Sequence, residues 1–167
     1  PIGGKISHVN VKAVKGFTLT ELMIVVGIIA AVGVFAAPMF SSLIPNRMAD
    51  RLYQEIEIDL RYARSQAVTT SAVIVFQPLN SWRDGWRVVN STTNQELRAR
   101  GHDLTAGTIT SANITTAAPL TFDINGRSNT DATIVVNVPG CTGDKVRTLS
   151  VNRIGQIQVT GEAACAP

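Results

Sequence analysis

Acidic side chains are scarce at the start of this chain: none of the 12 precedes Glu21, and no ionisable side chain of either sign occurs in the 23 residues from Leu22 to Ile44. Imidazole and thiol are scarcer still, with two histidines, His8 and His102, and two cysteines, Cys141 and Cys165. His102 has no cysteine beside it and no acidic cluster beyond Asp103, so neither a nucleophile-base pair nor a zinc ligand set can be assembled. H-E-x-x-H, G-x-S-x-G and a phosphate-cradling glycine loop are all missing. These absences argue against an enzyme and against any metal or cofactor.

The uncharged run itself is the strongest positive signal. As a helix, Leu22 to Ile44 would measure roughly 34 Å at about 1.5 Å per residue, enough to cross a hydrocarbon core of about 30 Å. Lys5, Lys12 and Lys15 precede it without an acid, the flank expected on the cytoplasmic side of a spanning segment. A charge near the centre of a span costs on the order of 2.5 to 3.5 kcal/mol, so Glu21 at its mouth asks for a function. A secretory signal would have a shorter apolar core and a small-residue cleavage site, which Val34-Phe35-Ala36 imitates. A plain membrane anchor explains length and charge but leaves Gly16-Phe17 and Glu21 unexplained.

The segment KGFTLTELMIVVGIIAAVGVFAAPMF, from Lys15 to Phe40, resembles the start of a type IV prepilin. The resemblance implies a leader of residues 1–16 cut by a prepilin peptidase after Gly16, with N-methylation of Phe17. Glycine suits a scissile bond, because without a Cβ it lets an enzyme approach the backbone closely. Glu21 becomes the fifth mature residue, an assembly determinant that neutralises the cationic amine of a neighbouring subunit's Phe17. Pro38 stands where pilins often place a proline. The resemblance further implies a single-pass inner-membrane protein whose C-terminal domain lies in the periplasm before entering the pilus fibre.

Net charge is +3, yet Lys5, Lys12 and Lys15 belong to the leader, leaving 12 basic against 12 acidic residues. Overall basicity is therefore weak evidence for nucleic-acid binding. In an oxidising compartment the even cysteine count predicts a Cys141–Cys165 bridge, which would contribute about 3.5 kcal/mol in the chain-entropy model. Two buried free thiols remain the alternative, since sequence gives no Cα separation.

Pro38 and Pro45 each remove a helical hydrogen bond, which predicts a kink or loosening between them. Past Asn46, the residues Met48, Leu52, Ile56, Leu60, Ala63 and Ala67 recur at helical spacing and predict a core-facing stripe. Off that stripe, Ile58 and Tyr62 form a weak candidate for contact with another subunit, and Glu57 to Arg61 is a favourable pair one turn apart. After Thr70, β-rich runs follow at Ala72–Phe76, Gly85–Val89, Glu96–Arg100, Leu120–Ile124, Thr133–Val138, Thr148–Val151 and Ile154–Val159. Asn125-Gly126 signals a turn. Residues 103–118 read equally as an edge strand or a loop. The expectation is an α+β, pilin-like fold: one long N-terminal helix, half membrane-embedded and half amphipathic, packed on a C-terminal antiparallel sheet. Its parts would be the leader 1–16, the transmembrane and assembly helix 17–45, and a periplasmic domain 46–167.

Trp82-Arg83-Asp84-Gly85-Trp86, Leu120 to Arg127 and Leu149 to Gly155 are similar, in this order, to landmarks of the GspH/FimT group of minor pilins and minor pseudopilins. The tryptophans are expected as core or sheet anchors. The resemblance implies a FimU-like subunit at or near the tip of a type IV pilus that helps start assembly, with other major and minor pilins, prepilin peptidase and the inner membrane as partners. A type II secretion pseudopilus subunit is one alternative. DNA uptake is the other and is not favoured. Certain members bind DNA through glycine-arginine-x-arginine, where this chain has Gly155-Gln156-Ile157-Gln158, without the phosphate-pairing charges. Lys145, Arg147 and Arg153 would form only a small basic patch.

Overall fold

The computed structural model describes residues 16–165, with the backbone alone for residues 35–42. Lys5, His8, Lys12, Lys15 and the side chain of Pro38 lie outside the described residues. Helix α1 spans Leu19–Thr70 and includes both Pro38 and Pro45. The described residues divide into two compact units, with the boundary between Pro38 and Met39.

In the first unit, the helix opens on a capping box. Thr18 Oγ1 accepts from the Glu21 amide at 3.2 Å, and Glu21 Oε2 accepts from the Thr18 amide at 3.1 Å and from its hydroxyl at 3.0 Å. Thr18-Leu19-Thr20-Glu21 thus satisfies donors that a helix start otherwise leaves unpaired. Leu22, Met23, Ile24, Ile28, Ile29 and Val32 are exposed along it.

The expectation of a membrane-embedded half is corrected here. Among the described residues, no helix is long and apolar enough to cross a membrane. The single-pass inner-membrane placement rested on such a span and is withdrawn with it.

The second unit pairs the later part of α1 with two antiparallel sheets. The strands are β1 Ile74–Pro78, β2 Gly85–Asn90, β3 Gln95–Gly101, β4 Ile109–Ser111, β5 Leu120–Phe122, β6 Ala132–Val136, β7 Val146–Val151 and β8 Ile157–Ala163. One sheet has the order β3-β2-β1-β5 and the other β4-β6-β7-β8. Ala49, Leu52, Ile56, Leu60, Ala63 and Ala67 are buried in one core with Ile74, Phe76, Trp86, Val88 and Phe122 of the first sheet and Ile134, Val136 and Leu149 of the second. Helical spacing on one side and alternation on the other bring these residues together. Met48 is only partly buried, and Ala49 takes the first fully buried position.

Two glycines permit close backbone approaches. At Gly85, with φ +105, a Cβ would lie 1.9 Å from the Arg100 carbonyl oxygen, so only glycine lets β2 begin beside β3. At Gly155, with φ +77, a Cβ would lie 1.9 Å from the Gly126 carbonyl oxygen. That oxygen also accepts from Arg64 Nε at 3.0 Å, so the turns at Gly126 and Gly155 both pack against α1. Asp123 Oδ1 shapes the first turn by accepting from the amides of Asn125 and Arg127 at 2.9 and 2.8 Å. The chain then forms only a single bridge, Phe122 to Ser128, rather than a second hairpin strand.

Candidate functional site

The residues singled out in sequence fall into separate places. Gly16, Phe17 and Glu21 lie together at the start of α1, with Phe17 85% exposed and no part of any core. The Glu21 carboxylate already receives the Thr18 amide and hydroxyl. It therefore has a local structural role that spacing alone had not suggested, although T-x-x-E is legible as a capping box.

Lys145, Arg147 and Arg153 each meet a carboxylate. Lys145 Nζ lies 2.8 Å from Asp50 Oδ2, Arg147 Nε 3.5 Å from Glu162 Oε1, and Arg153 Nε 3.8 Å from Asp131 Oδ2. Arg147 also stands over the Tyr53 ring at 5.8 Å and donates to the Asp144 carbonyl at 2.6 Å. Three acids beside three bases leave little net positive field for a polyanion. Gln156 and Gln158 are exposed, Gln158 lying opposite Ser150 in the strand register.

Cys141 and Cys165 form a disulfide with a Cα separation of 5.7 Å. It fastens the segment after β8 to the turn at Gly140–Gly143, and the Cys165 amide donates to the Gly143 carbonyl at 2.9 Å. Asn46 meets the same turn from α1: its Oδ1 accepts from the Thr142 amide at 2.9 Å and its Nδ2 donates to the Thr142 hydroxyl at 3.1 Å. Of the pair Ile58 and Tyr62, Ile58 is 54% exposed, whereas Tyr62 packs on the core beneath Arg98, whose guanidinium carbon is 4.0 Å from its ring centroid.

Sequence reasoning missed the most concentrated polar cluster. Asp59 is fully buried and accepts from Trp86 Nε1 at 2.9 Å, Arg98 Nη1 at 2.7 Å and Arg100 Nε at 2.6 Å. Burial pushes its pKa up, but the hydrogen bonds from Arg100, Arg98 and Trp86 outweigh that and hold the carboxyl below its ordinary range. Beside it, His102 stacks on Trp86 with centroids 5.1 Å apart and brings Nε2 within 3.4 Å of Glu55 Oε2. Burial, foremost, pushes the His102 pKa down, assisted by Arg51 and Arg100 against the opposing pull of Glu55. The cluster locks β2 and β3 onto α1. An acid within the apolar stripe, one position before Leu60, together with arginines alternating on β3, was the available signal.

A helix followed by two antiparallel sheets is a pilin-type architecture. The family described as "Type II transport protein GspH" matches residues 53–155, more than half of the sequence, and the chain belongs to that family. A prokaryotic N-terminal methylation motif matches residues 11–37. The chain is similar to the type IV minor pilin FimU of Pseudomonas aeruginosa at 26% identity, with a TM-score of 0.55, over 72% of this chain and 96% of that one. A second crystal form of FimU aligns at 28% identity and a TM-score of 0.48, over 68% and 96%. No curated protein sequence matches. Membership associates the chain with the assemblies that pilins and pseudopilins build.

Proposed function

We propose that this chain is a minor pilin, cut after Gly16 by prepilin peptidase, N-methylated on Phe17 and incorporated at or near the tip of a type IV pilus, where it helps initiate assembly. The carrying observation is the methylation motif over residues 11–37 joined to a domain similar to a type IV minor pilin. Residues 1–16 are then the leader, and Glu21 meets the methylated amine of an adjoining subunit. Other major and minor pilins are its partners in the fibre.

Intact-mass analysis of material from cells with an active prepilin peptidase tests the processing step. The expected species begins at N-methylated Phe17; a chain retaining Gly16, or one cut after Ala36, refutes it. Immunogold labelling tests the position, with label at fibre ends supporting the proposal and label along whole fibres opposing it.

A second reading, a minor pseudopilin of a type II secretion system, is favoured by the family description itself. Deletion of the gene separates the two, since loss of piliation supports the first and loss of exoprotein secretion with normal piliation supports the second. DNA uptake is the weaker alternative, because Lys145, Arg147 and Arg153 all face carboxylates.

A further inference from the structure

Trp82 is not fully absorbed by the core. It is half-buried, with its ring centroid 6.1 Å from that of Phe76, and it forms a wall of an open cleft of about 200 Å³ that Asn80, Ser81, Thr115 and Thr116 also line. The indole N–H donates to the Ile114 carbonyl at 3.2 Å, which fixes the plane of the ring. Both loops that carry the cleft are held by their own hydrogen bonds. The Asp84 amide donates to the Ser81 carbonyl at 3.1 Å, and the Ala118 amide donates to Thr115 Oγ1 at 2.9 Å.

No ionisable side chain lines this cleft. That sets it apart from the arginine-bearing surfaces elsewhere and removes the cations that a phosphate or nucleic-acid strand requires. It also lacks the thiol, imidazole and carboxylate donors that would hold a metal. What it offers is an immobilised aromatic ring with neutral hydrogen-bonding groups around it. Asn80 and Thr116 stand exposed at its rim, and Thr115, which accepts the Ala118 amide through its oxygen, keeps its O–H for donation.

We propose that the Trp82 cleft is a binding subsite for an uncharged saccharide. A sugar ring has an apolar C–H face that stacks on an indole and a rim of hydroxyls that pair with amides and alcohols. Both halves of that chemistry are present, in the combination of an apolar wall and a few placed polar groups that small-molecule sites share. The open shape suits one ring of a longer glycan rather than an enclosed monosaccharide. The site is independent of whether the chain assembles into a pilus or a pseudopilus.

The test uses the full chain in a zwitterionic detergent without a sugar headgroup. Maltotriose, cellotriose and N,N′,N″-triacetylchitotriose serve as neutral probes, with sialyllactose and a short DNA oligonucleotide as charged ones. Saturation-transfer NMR is expected to show transfer to the ring C–H protons of at least one neutral probe. Asn80→Ala and Thr116→Val should each weaken its binding on the order of tenfold, the loss of one hydrogen bond, with an unchanged melting temperature. Trp82→Leu should abolish it, and circular dichroism of that variant reports whether the fold persists. Absence of transfer to every neutral probe overturns the proposal. So does binding that survives both rim substitutions, and so does binding of the charged probes alone.

Discussion

Arg100 donates from Nε to Oδ2 of Asp59 across 2.6 Å, joining the third strand to a helix carboxylate that has no exposure to solvent. Arg98 approaches the other oxygen at 2.7 Å, and both arginine side chains keep about a third of their surface in water. The pair is thus desolvated mainly on the acid side. Its net contribution relative to an apolar replacement is small, but removing one member alone is costly. Asp59→Ala is expected to destabilise the domain by about 3 kcal/mol, because the Trp86 N–H and two guanidinium groups lose their acceptor. Urea denaturation followed by tryptophan fluorescence checks it, and a loss under about 1 kcal/mol would show that water replaces the carboxylate readily.

Acid should weaken the same region in two stages. His102 has its pKa depressed, chiefly by burial, so the fold prefers the neutral ring. Its contribution is complete above the ordinary imidazole value of about 6.5 and is lost as pH falls through the depressed folded value. Asp59 is also depressed, because the bonds from Arg100, Arg98 and Trp86 outweigh burial. Its contribution is complete above about pH 3.9 and is lost as pH falls through its own lowered value. Melting temperature against pH should decline first below about 6.5 and again in strong acid. His102→Phe, which keeps the ring beside Trp86, should remove the first decline and leave the second.

Much of this architecture was legible, and the exceptions share a cause. The stripe from Leu52 to Ala67 was readable because burial on a helix repeats locally, and most strands were readable from Val, Ile and Thr between turn residues. Asp59 was not, because its partners lie 27 to 41 positions away and only the folded chain brings them together. Strand β4 holds only Ile109–Ser111, too short for an alternating pattern to emerge from residues 103–118. The run after Glu21 was read as a membrane crossing from its length and its basic flank, whereas among the described residues no helix is long and apolar enough to cross. The basic patch was legible as residues but not as charge, since Asp50, Asp131 and Glu162 come to it from elsewhere in the chain.

Gly155→Ala tests the close approach of two turns. The added methyl would lie 1.9 Å from the Gly126 carbonyl oxygen and 2.9 Å from Arg64 Nε, at a backbone φ of +77. Backbone strain together with forced repacking should cost about 3 kcal/mol. Gly107→Ala is the control: its φ is +86, but nothing lies within 4 Å of the added Cβ. That variant should show the conformational strain alone, about 1 kcal/mol. Equal losses in the two proteins would mean that the Gly126 turn moves aside.

Reduction of the Cys141–Cys165 bond should lower stability by about 3.5 kcal/mol, given a sequence separation of 24 residues. The effect should be local in hydrogen exchange. Amides of β8 and of the Gly140–Gly143 turn should lose protection, while those of β1 and β2 in the other sheet keep theirs. The double variant Cys141→Ser with Cys165→Ser should reproduce the loss without reductant.

A glutamine separates the capping role of Glu21 from the assembly role proposed for it. As the last residue of the capping box, its side chain accepts from the Thr18 amide, a bond glutamine also makes. As the proposed partner of a methylated amine, it needs its charge, which glutamine lacks. Glu21→Gln should therefore keep the helicity of α1 measured by circular dichroism, while incorporation into fibres falls by about tenfold or more, the loss of one charge-assisted contact. Glu21→Ala should reduce both. Normal incorporation of the glutamine variant beside failure of the alanine variant would assign Glu21 to helix capping alone, and the amine-pairing role would fall.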